Sequence, residues 1–269
     1  MKRCAALLLG LTLALPAAAD PPLPDTATLE AMAAADVVLI GETHDNGAHH
    51  AGQAALIRAL DPAAVVFEML NPEQAAMVEA DEGDVSTLGT RIGWDQAGWP
   101  DFALYQPIFE ALGDAKVVGM ALPRDTVRAA FADGAAAVFG AGADDYGLTD
   151  PLPDAEQKAR EQMQFDAHCE AMPLEMMPGM VEAQRLRDAH FARVTLQALA
   201  DHGAPVVVIL GNGHVRTDWG MPVYLERIAP DVRRFAFAFV EGPQNGTAFD
   251  GAMTTLVPRR DDPCAAFSN

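Results

Sequence analysis

Residues 179–214 read GMVEAQRLRDAHFARVTLQALADHGAPVVVILGNGH, a polar-apolar periodic stretch running into a wholly apolar one. Leu186, Ala189, Leu196 and Leu199 recur at helical spacing while Arg185, Arg187, Asp188 and Arg193 hold the polar side, which predicts an amphipathic helix over 179–202. Ala204-Pro205 stops it, because proline cannot extend the hydrogen-bond ladder. Val206 to Leu210 then stays apolar without alternation, the signature of a strand covered on both faces.

The same reading extends outward. Short apolar runs at Val37–Ile40, Ala64–Phe67, Lys116–Leu122 and Arg233–Val240 alternate with helical stretches at His49–Leu60 and Asp125–Val138. Strands alternating with helices predict a three-layer α/β fold, with a largely parallel central sheet and helices on both faces. Two stretches do not fit simple crossovers. Asn71–Glu110 reads as a helical insertion with a tryptophan loop, and Pro151–Pro178 as a second, Met-rich one.

The N-terminus has its own pattern. Lys2 and Arg3 precede an apolar run from Ala5 to Leu15, and Ala17-Ala18-Ala19 precedes Asp20, which predicts a signal peptide over 1–19 cut after Ala19, and a periplasmic location. Residues 20–269 are then expected to form one domain. Cys4 lies before the apolar run rather than at the cut, so no lipid anchor is expected, and no later stretch offers the ~20 apolar residues of a membrane span. Cleavage takes the 18 basic residues to 16 against 38 acidic ones, moving the net charge from -20 to -22. Such a field repels phosphate backbones and argues against nucleic-acid partners. Cys169 and Cys264 remain, free to pair as one disulfide or to stay as two buried thiols.

Three strands end in polar residues that apolar runs do not normally carry. LIGETHD places Glu42 and His44 two residues apart on one side of an extended segment, VVFEML places Glu68, and VVVILGNGH turns at Gly211 and Gly213 to present His214. In an open parallel sheet the carboxyl ends of the strands share one edge, where ligands bind. Glu42, His44, Glu68 and His214 are therefore the candidate site, suited to a divalent metal ion or to acid-base work, which supports a metal-dependent hydrolase as one reading. Asp45 is the expected N-cap of the next helix, with one of His49 and His50 facing the crevice and the other solvent. His168, Cys169, Met172, Met176, Met177 and Met180 form a soft-donor stretch with the residue types that bind copper. Tyr105, within GWDQAGWPDFALYQPIFEAL, offers a phenol of the kind that ligates haem iron, or else packs among Trp94, Trp99, Phe102 and Phe109.

Taken in order, LIGETHDNGAHH, VVFEML, GWDQAGWPDFALYQPIFEAL, HCEAMP with PGMVEAQRLRDAHFA, and GNGHVRTDWGMP resemble the successive blocks of the ChaN-like haem-binding uptake family of the Tiki superfamily. That wider group includes metal-dependent proteases and is similar to erythromycin esterases. The resemblance implies a Rossmann-like fold and an exported protein that binds haem for iron uptake. The superfamily's Gly-x-x-His motif falls on Gly41 to His44, its second glutamate on Glu68 and its late histidine on His214. Tyr105 lies in the block where a family member's haem ligand is a tyrosine, with Arg124 or Arg216 to meet the propionates. Haem bound in the strand-end crevice and haem on a surface shared by a homodimer both remain open.

Overall fold

The computed structural model describes residues 23–242, 248–262 and 264–265, so the signal peptide expected over 1–19 lies outside the described residues. Six strands form one sheet: β1 (Val37–Glu42), β2 (Ala64–Phe67), β3 (Lys116–Gly119), β4 (Val206–Gly211), β5 (Arg234–Val240) and β6 (Gly251–Thr254). Their order is β3-β2-β4-β1-β5-β6, and every neighbouring pair is parallel. The helices of the first half are α1 (Thr26–Ala33), α2 (Gly47–Leu60), α3 (Pro72–Glu79), α4 (Leu88–Arg91), α5 (Trp94–Ala97) and α6 (Phe102–Phe109). Those of the second half are α7 (Arg124–Asp133), α8 (Ala135–Phe139), α9 (Asp154–Ala167), α10 (Met177–His202), α11 (Asn212–Val215) and α12 (Met221–Ile228).

Strand side chains alternate between two cores. Val38, Ile40, Val65, Phe67, Val207 and Ile209 pack with Leu56, Ile57, Tyr105 and Phe109 of α2 and α6 on one face. Val37, Leu39, Val66, Val208 and Leu210 pack with Ala130, Leu186, Ala189 and Leu225 of α7, α10 and α12 on the other. Both faces being covered, the strands tolerate uninterrupted valine and isoleucine, and the three-layer α/β expectation holds. Among the described residues no helix is long and apolar enough to cross a membrane.

The boundaries differ in instructive places. The helix expected over 125–138 breaks at Gly134, whose φ of 89° no ordinary helical residue adopts, giving α7 and α8. The N-cap of α2 is Asn46 rather than Asp45: its side-chain oxygen accepts from the Ala48 N–H at 3.0 Å, while Asp45 pairs with Arg260. The strand β6 escaped notice because Gly-Ala-Met-Thr is a short, half-exposed edge with no apolar run.

The topology positions the site. From β1 the chain moves to β2 and β3 on one side, returns to fill the gap with β4, then continues as β5 on the far side of β1. Connections leave the carboxyl ends of β1 and β4 in diverging directions, and such a divergence opens a crevice.

Candidate functional site

Two buried carboxylates organise the floor of this crevice. Glu42, the last residue of β1, has no solvent-exposed side chain. Its Oε1 accepts from the Tyr105 hydroxyl at 2.7 Å and from His44 Nδ1 at 2.7 Å, and its Oε2 lies 3.2 Å from His50 Nδ1. Burial alone would raise the Glu42 carboxyl, but the hydrogen bonds of His44 and His50 outweigh it and hold the group far below the usual carboxylate range. His50 also bonds the His44 carbonyl oxygen through Nε2 at 2.9 Å, so acceptors face both of its ring nitrogens. Burial opposes a charge on His50, yet the hydrogen bond and charge of Glu42 outweigh it and raise its pKa above the ordinary histidine value.

Glu68, just past β2, anchors the second centre. Its Oε2 accepts the Gly211 N–H at 2.7 Å, and its Oε1 lies 2.9 Å from Arg187 and 3.4 Å from His214 Nε2. His214 turns its other nitrogen, Nδ1, to Asp188 at 2.6 Å. Desolvation works against a charged His214, but the carboxylates of Glu68 and Asp188 on either side push its pKa up to about 9. Glu68 is correspondingly held well below its ordinary value: burial opposes this, and the charge of His214 prevails. Gly211 lets the His44 ring sit close, since a Cβ there would lie 3.0 Å from His44 Nε2.

Above the floor opens a cleft of about 1200 Å³. Trp99, Leu122, Val127, Phe131, Met180 and Phe191 supply apolar wall, and Arg124, Arg128, Arg187 and His168 bring polar groups into it. The tryptophan loop is anchored by a bond from Trp99 Nε1 to the Met69 carbonyl at 3.1 Å, and Trp99 meets the His44 ring edge-on at 4.9 Å. Arg124 is steadied by the Ala97 carbonyl at 2.8 Å.

Several expectations change here. Glu42, His44, Glu68 and His214 do converge on one strand-end floor, where they form two ion-pair centres. Among the described residues no three His, Cys, Asp or Glu side chains are grouped to hold a metal ion, because each candidate ligand already faces its own counter-charge. Tyr105 has 0% exposure, and its hydroxyl is spent on Glu42. Burial, reinforced by the Glu42 charge, pushes its pKa far above the ordinary tyrosine value, so the iron-binding phenolate is disfavoured. Arg216 lies outside the cleft lining, paired with Asp218 at 2.6 Å and stacked over Trp219 at 3.7 Å, whereas Arg124 lies inside. His49 and His50 are both buried at 0%, neither facing solvent: His49 Nδ1 accepts from the Thr43 N–H at 2.8 Å. Cys169 is bonded to Cys264, which removes the thiolate a copper site would use, and Met177 is fully buried. The sequence reading missed His50 as a partner of Glu42, and missed Gln184, Arg187 and Asp188. With Met180 and Phe191, the last three follow the i, i+4, i+7, i+8, i+11 stripe of one helix face, the signal that would have found them.

Residues 28–225 match the family described as haem-binding uptake, Tiki superfamily, ChaN. Among solved structures, that of cofacial haem binding to ChaN of Campylobacter jejuni has a TM-score of 0.64 at 19% identity, covering 83% of this chain and 89% of that one, a likeness of fold. An erythromycin esterase mutant in its open conformation reaches a TM-score of 0.45 at 15% identity, covering 80% of this chain and 71% of that one, too low to carry an argument. No curated protein matches the chain.

Proposed function

We propose, for a chain that belongs to the ChaN haem-binding uptake family of the Tiki superfamily, that it binds haem in the cleft above the carboxyl ends of β1, β2 and β4. The donor set fits the group. A porphyrin needs flat apolar surface, its two propionates need cations, and its iron needs an axial donor. Trp99, Leu122, Phe131 and Phe191 provide the first, Arg124 and Arg128 the second, and the cleft-lining histidines the third. The observation that carries the reading is the gathering of arginines and aromatic rings into one large cleft of a chain whose net charge is -20.

An exported role in iron uptake accompanies it. The signal-peptide pattern of residues 1–19 and the Cys169–Cys264 disulfide both support passage into an oxidising compartment, with residues 20–269 as one domain. A metal-dependent hydrolase stands second, since it would require Glu42, Glu68 and their histidines to exchange present partners for a metal.

The test is titration of ferric haem into the purified protein, followed by absorbance. A saturable site is expected, and Arg124→Ala combined with Arg128→Ala should weaken it by on the order of tenfold, the loss of charge-assisted propionate contacts. Absence of saturation in the wild type would overturn the reading.

A further inference from the structure

The cleft holds several nitrogen and oxygen donors, and their geometry separates them. Tyr105 is sealed beneath the floor and bonded to Glu42. Both nitrogens of His214 lie against carboxylates. His44 is ion-paired through Nδ1 with Glu42 at 2.7 Å, and its Nε2 is turned toward Gly211, where an added Cβ would lie 3.0 Å from it.

His168 is placed differently. It caps the C-terminus of α9 and lines the cleft. Its Nδ1 lies 2.7 Å from the Gln164 carbonyl oxygen, which can only accept, so Nδ1 carries the proton and Nε2 keeps its lone pair. A ring whose Nδ1–H is held by a backbone carbonyl is the arrangement that orients metal-binding histidines. No hydrogen bond or ion pair engages Nε2 among the described residues.

The backbone that follows is unusual. Cys169 and Glu170 both take left-handed conformations, φ 58° and 54°, where glycine normally closes a helix. A non-glycine residue in this conformation is strained and persists where surrounding structure fixes it. The fixing is visible: Glu170 N–H bonds the Phe165 carbonyl at 2.9 Å, and Cys169 is joined to Cys264. The tail leading to Cys264 is itself held to the loop after β1, by Arg260 on Asp45 at 2.8 Å and by Asn46 on the Leu256 carbonyl at 3.1 Å. The turn bearing His168 is thus clamped to the floor from outside the cleft.

Resting on the haem reading above, we infer that His168 is the axial nitrogen ligand to the haem iron, and that the Cys169–Cys264 bond holds it in position. The experiment uses the full oxidised mature chain titrated with ferric haem and followed in the Soret and visible bands, before and after reduction of the iron. Wild type should show the bands of nitrogen-ligated haem. His168→Ala and His168→Asn should raise Kd by about tenfold or more and lose those bands. Free imidazole added to the His168→Ala complex should restore them, which a purely helix-capping role would not allow. Replacing Cys169 and Cys264 together by serine should weaken binding several-fold with the bands unchanged in kind. Wild-type bands and affinity in both His168 variants would overturn the assignment while leaving haem binding standing, whereas a wild type without a saturable site removes the haem reading itself. Unchanged affinity in the double serine variant would overturn the clamp.

Discussion

Glu42 and Glu68 show why residues that look like metal ligands in a sequence can be something else in a fold. A carboxylate buried without a partner costs several kcal/mol, so each has gathered cations: His44 and His50 around Glu42, His214 and Arg187 around Glu68. Had the four expected residues met at a metal, removing one would have left the metal-free fold intact. In this arrangement removal strands a buried charge instead. Glu68→Gln leaves Arg187 and the His214 imidazolium short of one negative partner and weakens the acceptor for Gly211 N–H. We expect it to destabilise the protein by about 3–5 kcal/mol, the cost typical of breaking one side of a buried pair. Urea unfolding of the wild type and the variant measures this; a loss below about 1 kcal/mol would show that the pair is not the structural unit described.

At the scale of elements, the loop between β1 and α2 joins the sheet, the site and the tail. Asn46 caps α2 through its side-chain oxygen, while its amide nitrogen donates to Glu241 at 2.8 Å and to the Leu256 carbonyl at 3.1 Å. Asn46→Ala should therefore cost about 1–3 kcal/mol, one cap plus tail bonds, and speed proteolysis of the tail around Leu256. Asn46→Asp keeps an N-cap oxygen but loses the amide donors beside Glu241, so it should spare the helix and still free the tail. Limited proteolysis with both variants separates the roles: a tail equally protected in Asn46→Asp would rule out the amide bonds as its anchor. The strands were legible because double burial writes itself as unbroken apolar runs, and the strand-end residues because Glu42, His44, Glu68 and His214 interrupt those runs. Asp188 was not, although it is fully buried, because on an amphipathic helix an acidic residue beside Arg185 and Arg187 looks like solvated surface. Only its apposition to His214, 26 positions away in the chain, reveals its role. The pairing of Cys169 with Cys264 was equally beyond reach, since two cysteines fix no geometry by spacing alone.

Across the whole molecule five buried or half-buried histidines divide into two sets with opposite responses to pH. In His214 desolvation is outweighed by Glu68 and Asp188, giving a folded pKa of about 9 against an ordinary 6.5, and His44 and His50 are shifted the same way. A group raised on folding contributes its full stabilisation below the unfolded value and loses it as pH climbs through the folded one, so His214 weakens the protein between about pH 6.5 and 9, with His44 and His50 acting in the same direction. In His49 and His190 desolvation prevails and the folded pKa drops to about 4. The unfolded chain then binds more protons than the native one from pH 6.5 downward, so stability also falls on the acid side. The carboxyls of Glu42 and Glu68, held low, add to that loss only below their ordinary value of 4.5. The two limbs meet near pH 6.5, and Tm measured from pH 5 to 9 should peak there although the sequence pI is about 4.5. His214→Gln removes the largest printed upward shift among the histidines and should make the alkaline limb shallower. A wild-type Tm that stays flat or rises between pH 7 and 9 would show that His214 is not held as a cation between Glu68 and Asp188.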